Sequence, residues 1–235
     1  MRNYAPNGVA LCGLLANLRD PEADIRIVES FARRLGTRVL GVVRRDPAFR
    51  TYLAQQFLAS FRTIGNPALA TLKLATSFGL SDGKIASWSA GYALLLLLSS
   101  LAMGPLWGRV ADLWGHRRIQ GLGLACAGLG CLAAGLAWSP QSLAAFFVLF
   151  GIANAGMMVS VENMTLDMAP PHERPAYVSL RLLAGSPGLV VPVLGGWMAD
   201  KLGYGLPLGL ATGVSALAVV HLWTRVPDPR RRGAA

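Results

Sequence analysis

Gly108-Arg109-Val110-Ala111-Asp112-Leu113-Trp114-Gly115-His116-Arg117-Arg118 separates two apolar blocks, residues 85–107 and 119–138. A helix of about 20 apolar residues crosses the ~30 Å hydrocarbon core of a bilayer. Each block therefore predicts a membrane-spanning helix, and the charged stretch between them predicts a turn at one membrane face. Working outward, four more apolar blocks follow the same rule, over residues 52–75, 143–168, 177–199 and 204–224. Turn chemistry separates them: Ser81-Asp82-Gly83, Ser139-Pro140, the run from Pro170 to Pro175, and Asp200-Lys201-Leu202-Gly203. The first block is interrupted by Arg62.

Composition supports this reading. Of 235 residues, 53% are hydrophobic and only 14% are charged, with a mean hydropathy of +0.45. Soluble domains carry about 25% charged residues, so a soluble enzyme is disfavoured, and a disordered chain lacks such apolar mass. The net charge of +10 is what basic cytoplasmic loops produce, and it calls for no nucleic acid. Three cysteines, Cys12, Cys126 and Cys131, make no disulfide framework.

The basic residues orient the spans. Arg44, Arg45, Arg50, Arg109, Arg117, Arg118, Arg174, Arg225, Arg230, Arg231 and Arg232 gather on one set of ends. The other set holds Lys84 and Lys201, each beside an aspartate, with Lys73 nearby. The first set is expected to face the cytoplasm. Six spans then put both termini on that side of a plasma (inner) membrane, with Arg230 to Arg232 against anionic lipid.

Residues 1–50 differ in kind. They carry 9 basic and 5 acidic side chains, and Met1, Arg2, Asn3 and Pro6, with no apolar core of the right length after them, are not expected to form a secretory leader. Val9 to Leu15 predicts a strand. Asp20-Pro21-Glu22 predicts a helix start, with Ile25, Val28, Phe31, Ala32 and Leu35 at helical spacing, and Val39 to Val43 predicts a second strand. Such a βαβ unit cannot close a core alone.

This stretch resembles the nitrogenase iron protein and its chlorophyll-biosynthetic relatives, through Gly13-Leu14, Asn17, Arg19, Ala32 to Thr37, and Val43 to Asp46. The resemblance covers about residues 1–46. It implies a nucleotide-base contact at Asn17 and a nucleotide-side loop at Arg45-Asp46. Arg44 replaces the family's proline, and the phosphate-binding glycine loop and cluster cysteines are missing, so a fusion remnant is the preferred reading of residues 1–46.

The pattern G-x-x-x-D-x-x-G-x-R-R over Gly108, Asp112, Gly115, Arg117 and Arg118 resembles the cytoplasmic loop motif of the major facilitator superfamily of transporters. Asp167 to Arg174 and Arg45 to Arg50 resemble two further stretches of that family. The resemblance spans residues 45–235. It implies twelve helices in two halves, with substrate between them. Residues 47–235 then read as the C-terminal half, and the fold as an all-α membrane protein of six transmembrane helices preceded by a short βαβ fragment. In the family the helix facing Asp112 belongs to the other half, so a second six-helix half or a homodimer is implied.

Physical chemistry suggests a job for the motif. Glycines permit close approach and tight turning, Asp112 can pair with a helix N-terminus or a guanidinium, and Arg117 or Arg118 can clasp a carboxylate. Asp167, ending the fourth span, is the expected partner, forming a latch on the cytoplasmic face. The alternative makes the arginines topology determinants.

Arg62, Asn66, Asn154, Glu162 and Asn163 are polar residues inside spans. A charged residue at a helix centre costs about 2.5–3.5 kcal/mol on insertion scales, so these five are candidates for lining a substrate path. The alternatives are a structural Arg62–Glu162 pair or a snorkelling arginine. Gly185, Gly188, Pro192, Gly195 and Gly196 in the fifth span suit either a rocking helix or tight packing. His116, His172 and His221 show no metal-ligand spacing, and no catalytic constellation or cofactor motif is evident. The leading expectation is a secondary transporter of a small solute, half or truncated. The alternatives are a non-transporting accessory membrane protein and a remnant of an iron-protein-like ATP-binding protein.

Overall fold

A computed structural model describes residues 41–229. Among these residues the chain is helical, without strands. Its elements are α1 (Pro47–Ser60), a 3-10 turn (Phe61–Gly65), α2 (Pro67–Ser77), α3 (Asp82–Trp114), α4 (His116–Leu136), α5 (Pro140–Met168), α6 (Arg174–Gly185), α7 (Pro187–Leu202) and α8 (Gly205–Arg225). Five stretches are long and apolar enough to cross a membrane: α3, α4, α5, α6 with α7, and α8.

The strand expected over Val39 to Val43 is corrected where it can be seen. Residues 41–45 are helical, and the Asp46 N–H donates to Val42 O at 3.0 Å. A short apolar run cannot by itself distinguish a strand from a buried helical turn. Here Val42, 2% exposed, packs with Phe49, Tyr52 and Tyr177, and burial decides for helix. The other elements expected before residue 40 lie outside the described residues.

The first expected span is not one helix. Pro67 lacks an N–H and pushes Asn66 into extended backbone, so α1 gives way to the 3-10 turn before α2 begins. Asn66 then caps α2, its side chain accepting from the Leu69 N–H at 3.0 Å. The broken segment is tied to its neighbours near both of its ends. At its start, Asp46 accepts from the Tyr177 hydroxyl at 3.2 Å and Arg45 meets Glu173 at 3.4 Å. At its far end, Thr76 meets the Tyr204 hydroxyl at 2.7 Å.

The turn expected over residues 108–118 shrinks to a single residue. Gly108 to Trp114 are the last turns of α3, and His116 begins α4. Gly115, at φ +90°, makes the corner, which a side chain would strain. Its N–H closes α3 on Ala111 O at 2.8 Å. Elsewhere the predicted punctuation holds. Ser139 and Ser142 form a capping box with Pro140 at the first position of α5, and Gly203, at φ +79°, ends α7.

Between helices in lipid there is little hydrophobic drive, and close van der Waals packing does the work. Small residues provide it. A Cβ on Gly123 would sit 3.2 Å from Ala153 O, and one on Gly128 3.0 Å from the Ser215 Cβ, which seats α4 between α5 and α8. Helix α3 lies outermost, tied to α5 by Ser100 to Gly151 O and Trp107 Nε1 to Ile152 O, both at 2.9 Å. Its outer face exposes Leu94, Leu97, Leu98 and Leu101. Such a surface suits lipid, since the backbone polar groups are satisfied within the helices.

Candidate functional site

Two helix breaks meet in the structure. One is the 3-10 turn between α1 and α2. The other is the Gly185-Ser186-Pro187 joint between α6 and α7, where Pro187 starts a new helix. The Thr63 hydroxyl, 2.7 Å from Ser60 O within its own turn, also lies 3.2 Å from Gly188 O across the gap, and a Cβ on Gly195 would lie 2.5 Å from Ile64 O. Interrupted helices are where transporters expose backbone and place binding groups.

A cavity of about 350 Å³ opens beside these breaks, walled by α1, the 3-10 turn, α5 and α6–α7. Arg62 and Glu162, two of the five expected path residues, line it. They do not pair with each other. Glu162 is ion-paired with Arg181 of α6, 19 residues further along the chain. Arg62 has no ion pair or side-chain hydrogen bond among the described residues. The structural Arg62–Glu162 pair is therefore not formed.

The other three path candidates are placed elsewhere. Asn66 is occupied as the cap of α2, its amide also donating to Thr63 O at 3.2 Å. Asn163 bonds back to Val159 O at 2.7 Å on its own helix. Asn154 contacts the Met158 sulfur at 3.8 Å, one turn from the cavity wall that Met158 supplies.

Two residues of the cavity went unrecognised in the sequence. Arg181 is 14% exposed at its side chain, and its Nε is buried without a partner. Gln56 is 7% exposed and its Nε2 is likewise unpartnered. Arg181 carried the signal that singled out Arg62, a lone charge within an apolar block. Gln56 carried no signal that separates it from other glutamines.

The motif residues lie at the junction of α3 and α4. Arg117 turns toward the end of α8, donating to Leu222 O at 3.2 Å and Trp223 O at 2.5 Å. The last carbonyls of a helix lack intrahelical donors, and a cation there also suits the helix dipole. Asp167 is exposed and forms no ion pair with Arg117 or Arg118, so the expected Asp167 latch is not made. Arg118 lines a shallow cleft with Trp114, Leu122 and Trp223. Asp112 is exposed on the last turn of α3. Gly108 does not serve close packing among the described residues, for a Cβ there would meet nothing of them within 4 Å. Among the described residues no cluster of three or more His, Cys, Asp or Glu could hold a metal ion.

A bundle that is helical throughout its described residues, with an apolar exterior, broken helices and an open charged cavity, fits an integral membrane protein. The chain belongs to the Major Facilitator Superfamily, whose sequence model matches residues 10–235. That match begins inside the stretch that resembles the nitrogenase iron protein, and the latter resemblance finds no support in it. Among relatives, the vacuolar membrane amino acid uptake transporter fnx2 of Schizosaccharomyces pombe is 25% identical over 87% of this chain and 35% of its own length. The MFS-type efflux transporter ffsH of Aspergillus flavipes is 30% identical over 68% of this chain and 28% of its own. Magnetosome protein MamZ of Magnetospirillum gryphiswaldense is 29% identical over 79% of this chain and 30% of its own. The chain thus spans about a third of the length of the curated relatives it matches.

Proposed function

We propose that residues 47–235 form one six-helix half of a secondary transporter that moves a small solute by alternating access. The cavity between α1, α5 and α6–α7 is its share of the solute path. The observation that carries this reading is the meeting of two helix breaks at a cavity holding Arg62, which has no partner among the described residues. Irregular backbone and ionisable groups at membrane depth are costly, and they persist where they line a pathway. The sixth crossing is the broken segment from Pro47 to Ser77, supported by its contacts at both ends of the bundle. Both ends of the six-helix unit face the cytoplasm of a plasma (inner) membrane, on the evidence of the arginines gathered there.

A second six-helix half, from another polypeptide or a second copy, completes the path. Gly108 and Gly104, open on the outer helix α3, support this, because small residues let a neighbouring helix approach. The test is solute uptake into proteoliposomes holding the chain with its partner half, screened over amino acids, organic acids and amphipathic drugs. Saturable uptake that Arg62→Gln abolishes is expected. A chain that inserts and assembles yet accelerates no solute would instead be a non-transporting accessory protein. Cysteine labelling in intact cells checks the orientation: positions 81–84 should react from outside and position 228 should not.

A further inference from the structure

We propose that the cavity takes an organic anion, a solute with one carboxylate and an apolar body. The inference rests on reading this cavity as the solute site and adds the class of solute. Three ionisable side chains line it: Arg62, Arg181 and Glu162. The Glu162 carboxylate is already engaged by Arg181. That leaves the cavity with one uncompensated positive charge on Arg62.

An unpaired guanidinium at membrane depth is expensive, and an anionic ligand is the group that compensates it. Two further polar atoms nearby agree in sign. The buried Nε of Arg181 and Nε2 of Gln56 lack acceptors. Both are donors set in the wall behind the cavity surface, so the surroundings there favour negative over positive charge. A carboxylate brings two oxygens that can each accept, and guanidinium forks match that geometry. The rest of the wall is apolar or soft, with Met157 and Met158 on α5. Methionines fit irregular apolar bodies. A cavity of about 350 Å³ falls within the size of small-molecule sites, about 300–1,000 Å³.

Three probes with one ring and three charges test this: benzoate, benzamide and benzylammonium. Each is labelled and measured by equilibrium dialysis against the full chain in phosphatidylcholine nanodiscs, where no anionic lipid competes for Arg62. Benzoate is expected to bind at least about tenfold more tightly than either other probe, a difference of ~1.4 kcal/mol. Arg62→Gln should erase that preference and Arg62→Lys should keep most of it. Tighter binding of benzylammonium or benzamide overturns the proposal, as does an undiminished preference in folded Arg62→Gln or no binding of any probe. If Arg62→Gln fails to fold, the ranking on the unaltered chain decides alone. Uptake can fail for want of a partner half while the ranking holds, and a reversed ranking leaves the transport reading standing.

Discussion

The Lys73 ammonium donates to Ala134 O at 2.6 Å, and it also reaches Gly135 O at 3.2 Å and Ala137 O at 3.1 Å. A lysine of α2 thus closes the C-terminal end of α4. The carbonyls in a helix's last turn have no intrahelical donors, and a cation there also opposes the negative end of the helix dipole. Lys73 itself is 7% exposed. Lys73→Met keeps the aliphatic stem and removes the ammonium. Gly135 O and Ala137 O lose this donor, while Ala134 O keeps the Ala137 N–H at 3.4 Å, and an unsatisfied buried polar group costs about 1–3 kcal/mol. We expect a lower thermal unfolding midpoint in detergent, read by circular dichroism. An unchanged midpoint would mean that water replaces the ammonium without loss.

Arg117 makes a corresponding contact at the other end of the bundle, on the last carbonyls of α8. Those carbonyls are only partly shielded from water, so Arg117→Ala should destabilise the bundle by about 0.5–1.5 kcal/mol, while Arg118→Ala, at an exposed position, should stay within about ±0.5 kcal/mol. The exchange Asp167→Arg with Arg118→Asp should show no recovery over the single changes. Recovery would restore the latch that the geometry does not show, since coupling between two residues appears as non-additivity.

The long apolar blocks were legible because transfer into lipid is a sum over consecutive residues. The blocks at 119–138, 143–168 and 204–224 lie within a few residues of α4, α5 and α8. The motif's place was legible for the same reason, although its helical character was not. Hydropathy does not say that Gly115 alone suffices to turn the chain. The breaks were harder. Asn66-Pro67 and Ser186-Pro187 each carry proline's signature, but a block average smooths over a single proline. Partners were hardest. Glu162 meets Arg181 because α5 and α6 are neighbours around one cavity, and no local period encodes that. Arg62 was recognisable as costly, but not as unpaired.

Glu162 and Arg181 should behave as a coupled pair. Arg181 is largely buried and Glu162 about half exposed. Glu162→Gln leaves the guanidinium with a weaker acceptor, and hydrogen bonds to charged groups are worth about 1.5–3 kcal/mol. In a double-mutant cycle with Arg181→Gln, the double variant should lose less stability than the sum of the two singles. Strict additivity, measured by thermal unfolding in detergent, would show that the contact carries no coupling energy.

Gly195 and Gly196 are adjacent in sequence and opposite in consequence. A Cβ on Gly195 would approach Ile64 O to 2.5 Å, whereas one on Gly196 would meet nothing within 4 Å. Both sit in α7, where replacing glycine by alanine favours the helix by about 0.8–1.0 kcal/mol. For Gly196→Ala that gain stands unopposed, so stability should hold or rise slightly. For Gly195→Ala the new methyl presses on the backbone of the 3-10 turn that carries Arg62, and overpacking costs about 1–3 kcal/mol. Because the obstructing atom is a main-chain oxygen, the cost can be relieved only by moving the turn. Gly195→Ala should therefore lower the thermal midpoint and displace Arg62, weakening any cavity ligand as well. Gly196→Ala is the control. If the two substitutions give the same midpoint and the same ligand affinity, the close seat of α7 on Ile64 is not what holds the cavity in shape.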